Sequence, residues 1–208
     1  MRTGARAKLL ADLLTAGGLI PTPVTPARPT PQRLGDELLE LYRCLGGCQA
    51  SPALRPGAWD LVFEGPIVVE LDEELHFNRY RAMTLRASWA QALPWREDYL
   101  RYCDKHESDC LAAGRWGKRW TNDSCARMFT GGPLGKLDGA GAPRWKQRAL
   151  YDAIKDSATM AETPVAMARL SIYDVVAGHT LGQALSQAGS GSADEVAELL
   201  RRRTVAPV

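Results

Sequence analysis

The sequence contains no stretch approaching the ~18 continuous apolar residues that a membrane span requires. Yet 45% of its 208 residues are hydrophobic, enough to build a real core. It also lacks a strong charge of either sign: 26 Lys and Arg stand against 24 Asp and Glu, a net +2. A chain-wide electrostatic grip on nucleic acid is therefore excluded, and any basic surface must be local. No small-residue cleavage site follows LLADLL near the N-terminus, and Asp12 interrupts that apolar run. The segment reads as an amphipathic helix rather than an export signal, and a cytoplasmic protein is expected. Its five cysteines, Cys44, Cys48, Cys103, Cys110 and Cys125, are then expected as thiols or metal ligands rather than disulfides. There is no internal repeat. The glycine-rich loop that a methyltransferase would need beside VVELD is missing, which argues against that class.

What is present suggests one α/β domain with additions at both ends. Residues 4–16 read as a short helix, followed by the proline-rich connector PTPVTPARPTP at 21–31, which cannot continue a helix. In RLGDELLELYRCL (33–45), Leu34, Leu38, Leu41 and Leu45 recur at spacings of three and four, an amphipathic helix with Glu37 and Glu40 off the buried stripe. WDLVF (59–63) and IVVEL (67–71) read as strands joined through Glu64-Gly65-Pro66 as a hairpin. A mostly helical segment spans 80–102 with a break near Pro94, and the 74–88 region is where a third core strand is sought, though periodicity alone does not show it. Residues 103–142 form an insertion. A helix starts at Pro143 and runs to about 156, a strand covers 165–176, and the tail is helical on both sides of GSGS at 189–192. The domain boundaries are an N-terminal helix and arm at 1–32, a core at 33–178 and a helical tail at 179–208.

The chemistry concentrates in WDLVFEGPIVVELDEELHFNRYR, 59–81. Asp60 opens one strand, and Glu70 and Asp72 close the next. Residues two apart on a strand share a face, so Glu70 and Asp72 can converge, with Asp60 brought beside them by the hairpin. Such acids either sit solvated at strand ends or surround a divalent cation that relieves their repulsion. The apolar character of IVVEL favours the second, because a buried charge needs a partner. Oxygen donors suit Mg²⁺ or Mn²⁺. His76 is placed to act as acid or base, and Arg79 and Arg81 to contact phosphate.

This pattern, Asp60, then Glu70-x-Asp72, then His76, resembles the core of the PD-(D/E)XK nuclease superfamily. It is most similar to the branch of the very-short-patch-repair endonucleases, whose relatives carry a strand ending in a Val-Glu-x-Asp-Gly-like sequence followed by a histidine. The resemblance spans roughly 33–90 and 143–176. It implies a restriction-endonuclease-like α/β core of helix, β-hairpin, helix and strand. It implies Asp60, Glu70 and Asp72 as Mg²⁺ ligands, and a glutamate of the preceding helix, Glu37 or Glu40, completing the set. The lysine usual two residues after the acid is replaced by Asp72, and the expected glycine by Glu73. By the same resemblance, a migrated charge would come from Lys146 or Arg148 on the helix at 143–156. Gln147 and Tyr151 on that helix match the Gln-x-x-x-Tyr spacing of RecB-like nucleases.

The insertion offers two further features. Cys103-x2-His106-x3-Cys110, with Cys125 beyond, holds four potential Zn²⁺ ligands, and the competing reading is half-buried helix cysteines beside a solvated histidine. Cys44 and Cys48, one helical turn apart, are expected in core packing. GRWGKRWTNDSCARMF (114–129) interleaves Trp116, Trp120 and Phe129 with Arg115, Lys118, Arg119 and Arg127. Cations hold phosphates and aromatics stack on bases, or else the tryptophans form a small satellite core. Within 101–160 there are 11 Lys and Arg against 7 Asp and Glu, and Arg144 extends the basic set. The expectation is a metal-dependent endonuclease acting on DNA. The alternatives are an inactive nucleic-acid-binding module of the same fold, or a zinc-stabilised protein-interaction domain.

Overall fold

A computed structural model describes residues 4–24, 26–27, 34–160, 165–186 and 192–206. The elements in chain order are α1 (Ala5–Ala16), α2 (Gly35–Cys44), β1 (Leu61–Phe63), β2 (Ile67–Asp72), α3 (Arg79–Leu85), α4 (Arg96–Lys105), α5 (Glu107–Gly114), α6 (Asp123–Met128), α7 (Pro143–Ser157), β3 (Ala166–Ser171), β4 (Val175–Val176), β5 (His179–Thr180), α8 (Leu181–Ala184), α9 (Ala193–Arg203) and β6 (Thr204–Val205). The protein is thus mixed α/β with a small sheet. No helix among the described residues is long and apolar enough to cross a membrane. The chain forms two compact units. One is drawn from the described residues of Met1–Arg28, Ala58–Glu73 and Glu162–Val208, the other from those of Pro29–Gly57 and Glu74–Ala161.

The first unit is built on the sheet β1-β2-β3-β6. β1 and β2 form the expected antiparallel hairpin, with Gly65 at φ 86° supplying the left-handed turn residue. β3 lies parallel to β2, with Glu70 opposite Arg169 and Asp72 opposite Ser171. A parallel neighbour demands a long crossover, and here the Glu74–Ala161 part of the second unit lies in sequence between β2 and β3. Strand alternation divides the sheet. Val69, Leu71, Ala168 and Leu170 turn into a core shared with Leu10 and Leu14 of α1 and Val196, Leu199 and Leu200 of α9. Glu70, Asp72, Arg169 and Ser171 occupy the other face.

The strand expected at 165–176 breaks in two. Asp174 Oδ2 accepts from the Ser171 amide at 2.7 Å and forms a turn after β3. The other oxygen of Asp174 accepts from Arg203 at 2.6 Å, pinning the end of α9. The tail is helical in α8 and α9, and residues 189–191 of the GSGS segment lie outside the described residues, as do 28–31 of the proline-rich connector.

In the second unit, α7 is the central element: 12 of its 15 residues are buried. Pro143 sits in its first turn as expected. Trp145, Leu150 and Ile154 pack with Leu38, Tyr42, Trp120 and Phe129. The strand expected in 74–88 is instead a 3₁₀ turn, Glu74–His76, followed by α3. The reason is a helix cap: the Asn78 side chain accepts from the Tyr80 and Arg81 amides at 3.1 and 3.3 Å. The break near Pro94 falls between a short 3₁₀ helix and α4.

Candidate functional site

On β1 and β2 the acids engage one another through the backbone. The Asp60 amide donates to Glu70 Oε1 at 3.2 Å, and the Leu71 amide donates to Asp60 Oδ2 at 3.0 Å. Asp60 and Glu70 therefore stand side by side where the hairpin strands part. Asp60 is exposed, whereas Glu70 is only 3% exposed. Asp72 goes elsewhere. Arg169 Nη1 donates to both of its oxygens, at 2.9 and 2.8 Å, and both side chains are 0% exposed. The ligand atoms of Asp60, Glu70 and Asp72 do not all lie within 4.8 Å of one another, so the expected three-carboxylate convergence is corrected to an Asp60–Glu70 pair and an Asp72–Arg169 ion pair. The cause is register: β3 places a guanidinium opposite Glu70, and the cation draws Asp72 to itself.

These residues meet the chemistry of a hard cation only in part. Asp60 and Glu70 present adjacent oxygen donors, which suit Mg²⁺ or Mn²⁺. Asp72 fits less well, because Arg169 already neutralises it.

In the second unit, His76 Nδ1 lies 2.9 Å from Asp152 Oδ2 on α7. A carboxylate on one ring nitrogen fixes the orientation of the imidazole and suits it to moving a proton at the other. Arg148 donates to the Leu75 carbonyl at 3.1 Å, beside His76 in sequence. Lys146 is 6% exposed, and its ammonium lies over the rings of Tyr80 (5.5 Å) and Phe129 (6.0 Å). Burial holds that amine below the ordinary lysine range. A Cβ on Gly46 would come 3.2 Å from Lys146 Nζ, so the charge sits just beyond the C-terminal end of α2, where the helix dipole favours it. Glu37 and Glu40 are exposed on α2, and both belong to this unit.

The Gln147–Tyr151 pair does make contact. Gln147 Nε2 donates to Ser124 Oγ at 3.0 Å and reaches Tyr151 Oη at 3.5 Å, while Arg144 donates to Gln147 Oε1. Burial pushes the Tyr151 phenol upward, so it remains protonated.

Several expected positions are corrected. Arg81, expected on phosphate, is 1% exposed and paired with the buried Asp156 at 2.8 Å, and its guanidinium lies over Tyr99. Arg79 is held by Glu107, which takes Nε at 2.9 Å and Nη2 at 2.7 Å and is itself driven to lower pKa by that contact. The Cys103, His106, Cys110 and Cys125 set is not gathered: among the described residues no three of these ligand atoms lie within 4.8 Å of one another. Each has another employment. Cys125 is the N3 residue of a capping box with Asn122, its Sγ accepting from the Asn122 amide at 3.1 Å. Cys110 accepts from Asn78 at 3.7 Å, and burial pushes its thiol up to about 12. His106 faces Asp109 at 2.8 Å, and Cys103 is buried on α4. Cys44 and Cys48, expected in the core, are exposed. Of the aromatics at 114–129, Trp120 and Phe129 are core residues and Trp116 is on the surface.

Two residues escaped sequence reasoning. Arg169 sits in AMARLS, and a lone charge inside an apolar strand was the available signal that a buried carboxylate would meet it. Asp152 follows Tyr151 in an amphipathic helix, and nothing local distinguishes it from a solvated acid.

In comparison with known proteins, the model of a family of unknown function (DUF7255) matches residues 40–187. No curated protein and no solved structure matches the chain.

Proposed function

Since the chain belongs to the DUF7255 family, whose activity is open, we propose from its own residues that it is a metal-dependent endonuclease hydrolysing phosphodiester bonds, with DNA as substrate. The observation that carries this reading is the adjacency of exposed Asp60 and buried Glu70, each carboxylate accepting from backbone of the other's strand. The mixed sheet supports it: an antiparallel hairpin bearing the acids is followed, after a long helical crossover, by a parallel strand. The order of hairpin, helix and closing strand is the one the resemblance to PD-(D/E)XK nucleases implies.

In this reading Asp60 and Glu70 hold Mg²⁺ or Mn²⁺, which when bound supplies charge stabilisation at phosphate and a more acidic water. Arg169 stands opposite Glu70 in the register and supplies the fixed positive charge that the missing lysine would carry. Asp72 positions Arg169. Within the second unit, His76 has its ring fixed by Asp152, a pair suited by itself to giving or taking a proton.

A second reading is favoured by one observation. Arg169 occupies both oxygens of Asp72, which suits a nucleic-acid-binding module of the same fold without turnover. One panel separates them: purified protein on single-stranded, duplex, nicked and mismatched DNA and on RNA, with Mg²⁺, Mn²⁺ or chelator, beside Asp60→Ala and Glu70→Ala. Metal-dependent cleavage lost in both variants is expected. Cleavage retained in either one removes the assignment, and binding without cleavage on every substrate selects the second reading.

A further inference from the structure

The turn Arg115-Trp116-Gly117-Lys118-Arg119 is exposed at every position and carries three cations and no acid. Gly117 adopts φ 53° and a Cβ there would meet nothing within 4 Å, so the turn projects as a tip. Trp116 is 62% exposed, in contrast to Trp120, which is fully buried against Trp145. Trp is highly buried on average, so an indole exposed to this degree stands out. One face of it is occupied: the Arg115 guanidinium lies 5.1 Å from its ring centroid. Beside the tip runs an open groove of about 930 Å³ whose lining includes Lys118, Thr121, Asn122, Asp123, Arg127 and Leu134. Lys118 and Arg127 give the groove two cations against the single carboxylate of Asp123. Arg119 donates to the Ala113 carbonyl at 2.9 Å, which fixes the base of the turn.

We propose that this tip and groove bind single-stranded nucleic acid, with an unstacked base on the open face of Trp116 and the backbone phosphates following Lys118 and Arg127. The proposal names the substrate form within the nuclease reading and rests on that reading only for its biological meaning. The physical argument concerns form. In a duplex, both faces of a base are already covered by its neighbours, so an indole can add nothing there. A single strand exposes base faces, and stacking tolerates any sequence. Arg115 holds the indole in place and adds cation–π polarisation. Lys118 and Arg127 supply the salt-sensitive share of the affinity.

The test is binding in chelator, where no cleavage occurs. A dye-labelled oligothymidine and a duplex of equal length are titrated with full-length protein by fluorescence polarisation at several salt concentrations. The oligothymidine is expected to bind more tightly than the duplex and to quench tryptophan emission. Trp116→Ala is expected to weaken it about tenfold or more and to abolish the quenching. Trp116→Phe, which keeps a π face, retains most of the affinity, and Lys118→Ala with Arg127→Ala lowers the salt slope by about 1.4. Binding in chelator does not use the metal site, so loss of catalysis and loss of this site are read separately. Tighter binding of duplex, no binding of either, or an unchanged Trp116→Ala would overturn the proposal.

Discussion

Replacing Arg169 by methionine tests the arrangement at the centre of the first unit. Methionine fills much of the same volume but leaves Asp72, 0% exposed, without the guanidinium that meets both of its oxygens. Breaking one side of a buried, hydrogen-bonded ion pair costs about 3–5 kcal/mol, because the remaining charge stays desolvated. Glu70, 3% exposed and in register with Arg169, would share the repulsion. At a urea dependence of about 2 kcal/mol per molar, a loss near ~4 kcal/mol lowers the unfolding midpoint by about 2 M. The assay is urea denaturation of wild type, Arg169→Met, Asp72→Asn and the double variant at pH 7. Neither buried charge remains in the double variant, so it is expected to recover all but about 1 kcal/mol, a strong coupling between neighbours. A loss below about 1 kcal/mol in Arg169→Met would mean that Asp72 is solvated or otherwise neutralised, and would refute the reasoning.

The remaining predictions reach other parts of the molecule. Asp60→Ala and Glu70→Ala are each expected to lower Mg²⁺-dependent cleavage at least about a hundredfold while unfolding midpoints move little for exposed Asp60. Burial holds Lys146 below the ordinary value of 10.5. Between its folded value and 10.5 the unfolded chain therefore binds more protons than the native one, so wild-type stability relative to Lys146→Met rises with pH across that window. Thermal melts of both proteins between neutral pH and pH 10.5 check the sign. Thiol titration with Ellman's reagent at pH 8 should find Cys44 and Cys48 promptly and Cys103, Cys110 and Cys125 only on denaturation, with Cys110 suppressed further by a thiol pushed up to about 12. Prompt release of further thiols by chelator would restore the zinc reading of the insertion.

Local pattern made much of the architecture legible. Leucine spacing defined α2, the Gly65-Pro66 turn defined the β1–β2 hairpin, and Pro143 marked the start of α7. Each depends on neighbours a few residues away, where periodicity and turn chemistry act directly. The acids Asp60, Glu70 and Asp72 were also visible, because charge at the end of an apolar run is a local signal. The Asn78 cap that starts the helix at Arg79 was equally local, although a strand was expected in 74–88 without support from periodicity. What only the tertiary structure decided is who meets whom. Pairing β3 in parallel with β2 brought Arg169, about a hundred positions away, onto Asp72 and left Asp60 with Glu70. The packing of α7 delivered Asp152 to His76 and Asp156 to Arg81. It also decided that Trp120 is core while Trp116, four residues earlier, faces water. Charge partners and exposure follow from strand register and long-range packing, and a sequence read along its length carries neither.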